Sequence, residues 1–143
     1  MIRAGIIGAT GYAGGELVRL LAGHKEVEVV WFGSRSYQEI PYTNVYQNLF
    51  QIVEGTCGEK VMEALADDVD VIFTATPQGF CAGQISETVL EKAKVIDLSA
   101  DFRLKEAETY EKWYKYNRKA RNFCKKQSTD FASGIGSIFD QQG

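Results

Sequence analysis

The chain has 143 residues, 45% of them hydrophobic and 24% charged, with a net charge of −3. That profile fits one ordinary globular domain, since domains usually run about 100–200 residues. No apolar run approaches the ~20 residues of a bilayer-spanning helix, so no membrane segment is expected. Cys57, Cys81 and Cys124 are scattered without a C-x-x-C pair. Their pattern argues against a disulfide framework or a metal site and for a reducing cytoplasm.

The chain begins directly with a short apolar run, Ile2 to Ile7, which reads as a strand rather than a signal peptide. Gly8-Ala9-Thr10-Gly11-Tyr12-Ala13-Gly14-Gly15-Glu16-Leu17 follows and leads into an amphipathic run. Strand, glycine turn and helix in that order open a dinucleotide-binding βαβ unit, although the spacing is G-x-x-G-x-x-G and not the commoner G-x-G-x-x-G. Gly8 serves the tight turn, Gly11 lets the backbone approach a pyrophosphate, and Gly14 lets the helix pack close to the strand. The unpaired N–H groups of the new helix then face the phosphates, with the positive end of the helix dipole behind them.

The first helix is expected over Tyr12–Ala22, with Gly23 as its stop and His24 exposed just beyond. A second strand is expected over Val27–Phe32, β-branched and aromatic as a buried parallel strand should be. At its end NAD enzymes usually place an acid on the ribose 2′-OH. Here Ser34 and Arg35 stand in that place without an acid. A hydroxyl and a guanidinium suit a 2′-phosphate, so NADP is the expected cofactor.

Residues 37–58 contain Pro41 and several aromatics with little periodicity, and read as a long connection over one end of the sheet. A short helix over Glu59–Ala66 and a buried strand over Val69–Ala75 come next. Thr76 and Pro77 follow at a strand-to-helix junction beside the glycine turn, as candidate cofactor contacts. Phe80–Lys92 reads as one helix, with Cys81 a small core residue near its start. A further strand, Val95–Ser99, leads into Asp101 and Arg103. In an extended chain Asp97, Ser99, Asp101 and Arg103 share one face, and Arg103 is placed to clamp an anionic group. Asp and Ser there could equally cap a following helix over Glu106–Tyr114. Together the elements predict an α/β fold: a Rossmann-like, doubly wound, mostly parallel sheet with helices on both faces.

Two motifs then combine. The glycine turn and Asp97-Leu98-Ser99-Ala100-Asp101-Phe102-Arg103-Leu104 closely resemble N-acetyl-γ-glutamyl-phosphate reductase, and Ser34-Arg35 and Tyr110-Glu111-Lys112-Trp113-Tyr114 also match that family. The glycine turn alone would suit the aspartate-semialdehyde dehydrogenases, which share the fold. The resemblance spans residues 1–114 and implies an NADP-binding domain. It implies an enzyme of arginine biosynthesis that uses NADPH to reduce a small-molecule acyl phosphate to the semialdehyde, by way of a cysteine thioester. It also implies a homo-oligomer for the full-length family member. By resemblance Gly8, Thr10, Gly11, Tyr12, Ala13 and Gly14 hold the pyrophosphate, Ser34 and Arg35 the 2′-phosphate, and Ser99, Asp101 and Arg103 lie on the substrate side.

The family's nucleophile sits in an Asn-Pro-Gly-Cys-Tyr-Pro-Thr segment, which does not occur here, and Cys124 lacks that context. No catalytic residue is therefore assigned, and this chain is expected to be the cofactor-binding fragment, inactive alone. Residues 1–114 carry 10 Lys and Arg against 17 Asp and Glu, whereas residues 115–143 carry 6 against 2. The tail 115–143 reads as out-of-frame or otherwise aberrant sequence on a truncated enzyme, which translation of the coding DNA in its other frames would check. A nucleic-acid arm is not expected, because the tail lacks aromatics interleaved on a regular element. A non-enzymatic NADP-binding redox sensor is the alternative, but it leaves the Ser-Ala-Asp-Phe-Arg-Leu segment without a task.

Overall fold

The computed structural model describes residues 1–99, 101 and 102. In chain order the elements are β1 (Ile2–Ile7), α1 (Tyr12–Ala22), β2 (Val27–Gly33), α2 (Tyr42–Val45) and a 3₁₀ turn over Gln47–Leu49. They continue with β3 (Cys57–Gly58), α3 (Met62–Leu65), β4 (Val71–Thr74), α4 (Phe80–Gln84), α5 (Glu87–Lys92) and β5 (Lys94–Asp97). The described residues divide between two units, residues 1–76 with 84–98 in the first, and residues 77–83 with 99, 101 and 102 in the second.

The first unit holds a five-stranded sheet in the order β3-β2-β1-β4-β5, with every neighbouring pair parallel. The chain winds from β1 outward through β2 to β3, then returns to the other side of β1 for β4 and β5. The winding therefore reverses between β1 and β4, and that switch point is where doubly wound sheets leave a crevice at the carboxyl ends of their strands. The expected Rossmann-like fold is present.

Alternation along β1 explains how both faces of the sheet are covered. Ile6 is buried in a cluster with Val18 of α1, Phe32 of β2, and Tyr42, Leu49 and Val53 of the following connection. Its neighbour Gly5 points the other way, where a Cβ would stand 3.2 Å from Leu65 of α3 and 3.4 Å from Val69. Residues 37–58, read from sequence as irregular, thus contribute a short helix, a 3₁₀ turn, an edge strand and a wall of the core.

Several elements differ from expectation: α3 covers only Met62–Leu65, β4 only Val71–Thr74, and β5 runs Lys94–Asp97 and stops short of Ser99. The single helix over Phe80–Lys92 is broken into α4 and α5, because Ser86 caps α5 by accepting a hydrogen bond from the Val89 N–H at 3.3 Å. Gly23 does end α1, but with φ −88°, so it is not a left-handed cap. In the second unit Asp101 is fully buried, and its carboxylate accepts from the N–H groups of Gly79 at 2.7 Å and Ala82 at 3.1 Å. Asp101 therefore caps the start of α4, which precedes it in sequence. Any helix over Glu106–Tyr114, and the tail 115–143 with Cys124, lie outside the described residues.

Candidate functional site

The site is built on the turn that leaves β1. Gly8 and Ala9 both donate their N–H to the Gly33 carbonyl, at 3.0 and 2.9 Å, so the end of β2 pins the turn from one side. On the other side β4 continues past its end, where Ala75 donates its N–H to Ile7 at 2.9 Å. Gly8 adopts φ +82°, and a Cβ there would overlap the Ala75 carbonyl oxygen. A Cβ on Gly14 would overlap the Gly8 carbonyl oxygen and stand 2.8 Å from the Ala9 Cα. These two glycines are required by the protein's own backbone.

Gly11 is different. A Cβ there would meet only the Gly8 carbonyl oxygen at 3.6 Å, an ordinary contact. Gly11, Tyr12 and Ala13 are all exposed, Tyr12 almost completely at 99%. Gly11 is the N-cap of α1 and supplies no side chain to cap it. The first-turn N–H groups that every helix carries unpaired are thus left for water or a ligand. Open space over those donors, at the switch point of the sheet, is what an anionic group needs.

A second observation agrees. Thr76 stands beside the turn, with its Cγ2 3.3 Å from where a Gly8 Cβ would lie. Its Oγ1 is buried without a hydrogen-bond partner among the described residues. A buried hydroxyl left unpaired is costly unless something bound completes it. The residues present therefore fit a dinucleotide laid across the turn.

The structure also brings the two expected phosphate sites together. Ser34 Oγ and Thr10 Oγ1 lie 2.9 Å apart, joining the end of β2 to the turn. Ser34 is buried. The pair shares one hydrogen bond, which leaves one hydroxyl proton to offer elsewhere. Arg35 is 72% exposed and its Nε lies 3.3 Å from a Glu59 carboxylate oxygen, itself on a side chain 50% exposed. Gln38 donates to the same carboxylate at 3.0 Å.

The remaining candidates are placed as follows. Pro77 is exposed and belongs to the second unit. Ser99, in that unit, is buried and its Oγ accepts from the Asp101 N–H at 3.1 Å. Asp101 accepts with one carboxylate oxygen from Gly79, just before α4, and with the other from Ala82 within it. Arg103 lies outside the described residues. Asp97, in the first unit, is buried and accepts from Thr74 Oγ1 at 2.7 Å. Among the described residues no cluster of three or more His, Cys, Asp or Glu could hold a metal. His24 is exposed, and its Nδ1 accepts from the Glu26 N–H at 3.2 Å.

Sequence reading missed Tyr42 and Tyr46. The Tyr42 hydroxyl donates to the Ala9 carbonyl at 2.8 Å. The Tyr46 hydroxyl reaches the carbonyls of Thr10 at 3.1 Å and Gly11 at 2.9 Å. Their i, i+4 spacing would bring two rings to one face of a helical turn, and was the available signal. Burial raises the Tyr42 phenol far above the ordinary tyrosine range, and it also raises the Cys57 thiol. Cys57 is buried within the core cluster that also holds Tyr42 and Phe32.

Comparison with known proteins gives a consistent picture. A family described as "Semialdehyde dehydrogenase, NAD binding domain" matches residues 3–135, a span that runs past Tyr114. The chain is 59% identical over 123 residues to an N-acetyl-gamma-glutamyl-phosphate reductase of Lachnospira eligens, covering 86% of this chain and 35% of that protein. It is also 59% identical over 125 residues to the reductase of the same name from Lachnoclostridium phytofermentans, covering 87% and 36%. The chain thus spans about a third of the length of these relatives. Among solved structures, aspartate semialdehyde dehydrogenase with NADP from Candida albicans superimposes with a TM-score of 0.55 at 20% identity. That match covers 75% of this chain and 32% of that one. At such identity the likeness shows the fold alone.

Proposed function

This chain belongs to the semialdehyde dehydrogenase family as its NAD-binding domain, and from that premise we propose that it is the NADP-holding part of an N-acetyl-γ-glutamyl-phosphate reductase. The 59% identity to two relatives of that name favours this substrate over aspartyl phosphate. The observation that carries the cofactor reading is the exposed turn Gly11-Tyr12-Ala13 at the switch point, with the unpartnered Thr76 hydroxyl beside it.

In this reading the N–H groups of the turn and the start of α1 hold the pyrophosphate, with Thr10 and Thr76 offering hydroxyls. Ser34 and Arg35 hold the 2′-phosphate. Bound NADPH supplies the hydride for the acyl group. No side chain of this chain is assigned as nucleophile, so the chain binds cofactor without turning substrate over. Ser99 and Arg103 are proposed for the substrate side. Asp101 would support that side indirectly, through its bonds to Gly79 and Ala82 on one hand and to Ser99 on the other. We place the protein in the cytoplasm, which the buried free thiols of Cys57 and Cys81 suit, and as part of a homo-oligomer when full length. Among the described residues no helix is long and apolar enough to cross a membrane.

Arg35→Ala tests the cofactor assignment. A charge-assisted hydrogen bond to phosphate contributes about 1.5–3 kcal/mol. NADPH should therefore bind about tenfold or more weakly to the variant, with NADH unchanged. Equal weakening of both would show that Arg35 does not read the 2′-phosphate.

A further inference from the structure

We infer that Tyr46 and Tyr42 are positioning residues of the cofactor turn: their hydroxyls hold three successive carbonyls against the protein and so aim the Thr10 and Tyr12 N–H groups outward, while the Gly11 N–H between them is held by the Gly8 carbonyl at 3.2 Å. This rests on the reading that the turn holds a dinucleotide. The carbonyls are those of Ala9, Thr10 and Gly11, bonded as given above. All peptide bonds among the described residues are trans. In a trans peptide the N–H and C=O point in opposite directions. With the Ala9 carbonyl held by Tyr42, the Thr10 N–H points away from the ring. With the Gly11 carbonyl held by Tyr46 and by the Gly15 N–H at 2.8 Å, the Tyr12 N–H points away likewise.

Without these donors the Ala9 and Thr10 carbonyls would be free to rotate toward the phosphates, where their negative ends would repel the ligand, while the Gly11 carbonyl would keep only the Gly15 N–H. A tyrosine is suited to the task because it donates from the end of a rigid ring. The rings are themselves fixed: Phe32 and Tyr42 stack at 4.6 Å between centroids, and Tyr42 and Tyr46 lie 5.4 Å apart. The Tyr46 hydroxyl has one proton for two carbonyls, so it bridges the peptides on either side of Gly11.

The same ring explains Gly15, the glycine that the phosphate fingerprint leaves over. A Cβ on Gly15 would stand 2.5 Å from Tyr46 Cζ and 2.6 Å from its hydroxyl oxygen. Gly15 is thus the gap through which Tyr46 reaches the turn. Gly15 and Tyr46 form a matched pair, 31 positions apart in the chain.

The test uses the 143-residue chain, titrated with NADPH and followed separately for melting temperature. Tyr46→Phe keeps the ring and removes the hydroxyl. If the outward arrangement falls to about a tenth of the population, the apparent Kd for NADPH rises about tenfold. Gly15→Ala should lower the melting temperature, and adding Tyr46→Leu should restore it by removing the overlap. The double variant should still bind NADPH weakly, because no hydroxyl reaches the carbonyls. Undiminished NADPH binding by Tyr46→Phe or by the restored double variant overturns the inference, since the ring would then act through packing alone. Failure of the unsubstituted chain to bind NADPH overturns the cofactor reading, and this inference with it.

Discussion

Replacing each of two glycines in one turn by alanine separates packing from ligand binding. At Gly14 the added Cβ would overlap the Gly8 carbonyl oxygen and crowd the Ala9 Cα at 2.8 Å. These obstacles are backbone atoms that no side-chain rotation can relieve. Overpacking of this kind costs about 1–3 kcal/mol, and rigid backbone obstacles place Gly14→Ala near the upper end, about 3 kcal/mol. For a chain of 143 residues that corresponds to a fall of about 10 °C in melting temperature. At Gly11 the added Cβ would meet only an oxygen at 3.6 Å. The cost there is limited to the poorer N-cap, about 0.5–1 kcal/mol. Its methyl group, however, would occupy the space over the exposed donors, and NADPH affinity should fall by about tenfold or more, a loss of at least about 1.4 kcal/mol. Thermal melting and fluorescence titration of both variants measure the two effects. The reasoning is refuted if Gly11→Ala binds NADPH as tightly as the unsubstituted chain, or if Gly14→Ala melts at the same temperature.

Other consequences are as specific. Asp101→Ala strips the N–H groups of Gly79, just before α4, and of Ala82, within it, of their acceptor and should cost about 2–3 kcal/mol, read from urea unfolding. Asp101→Asn, which keeps one acceptor, should cost less. Stability should fall at high pH through Tyr42, whose pKa is raised in the folded chain. Its contribution is complete below the unfolded value of about 10 and is lost above it, by about 1.4 kcal/mol per pH unit. Tyr42→Phe should flatten that alkaline limb, and an unchanged limb would contradict the assignment. Glu59→Gln removes one ion pair of Arg35, at 3.3 Å, in which both side chains are largely exposed. Its effect on stability should be below about 0.5 kcal/mol. NADPH affinity should rise about two- to threefold at low salt, a gain that fades as salt screens the charges.

What was legible in the sequence were the features governed by local rules. The glycine turn with its flanking strand and helix followed from spacing, and α1 has the expected limits, Tyr12–Ala22. The placing of the Thr76–Pro77 junction beside the glycine turn followed from reading the chain as a doubly wound sheet, and Ala75 does donate to Ile7 there. The break between α4 and α5 was also written locally, since Ser86 followed by Glu87 is a good helix start. The hydrophobic period across Ile85, Val89 and Leu90 obscured it. What was not legible depends on tertiary contacts. Asp101 caps a helix that begins 21 positions earlier at Phe80. The alternation of Asp97, Ser99 and Asp101 suggested one polar face, but β5 ends at Asp97 and the period ends with it. Tyr42 and Tyr46 lie in the least periodic part of the chain, and the carbonyls they hold are more than 30 positions away.

The central claim is that the turn after β1 and the end of β2 together form an NADP site. Parallel titrations of the 143-residue chain with NADPH and NADH test it most directly. Ser34 and Arg35 in place of an acid predict that NADPH binds at least about tenfold more tightly, the equivalent of one charge-assisted contact to the 2′-phosphate. NADH binding equal to or tighter than NADPH would contradict the account.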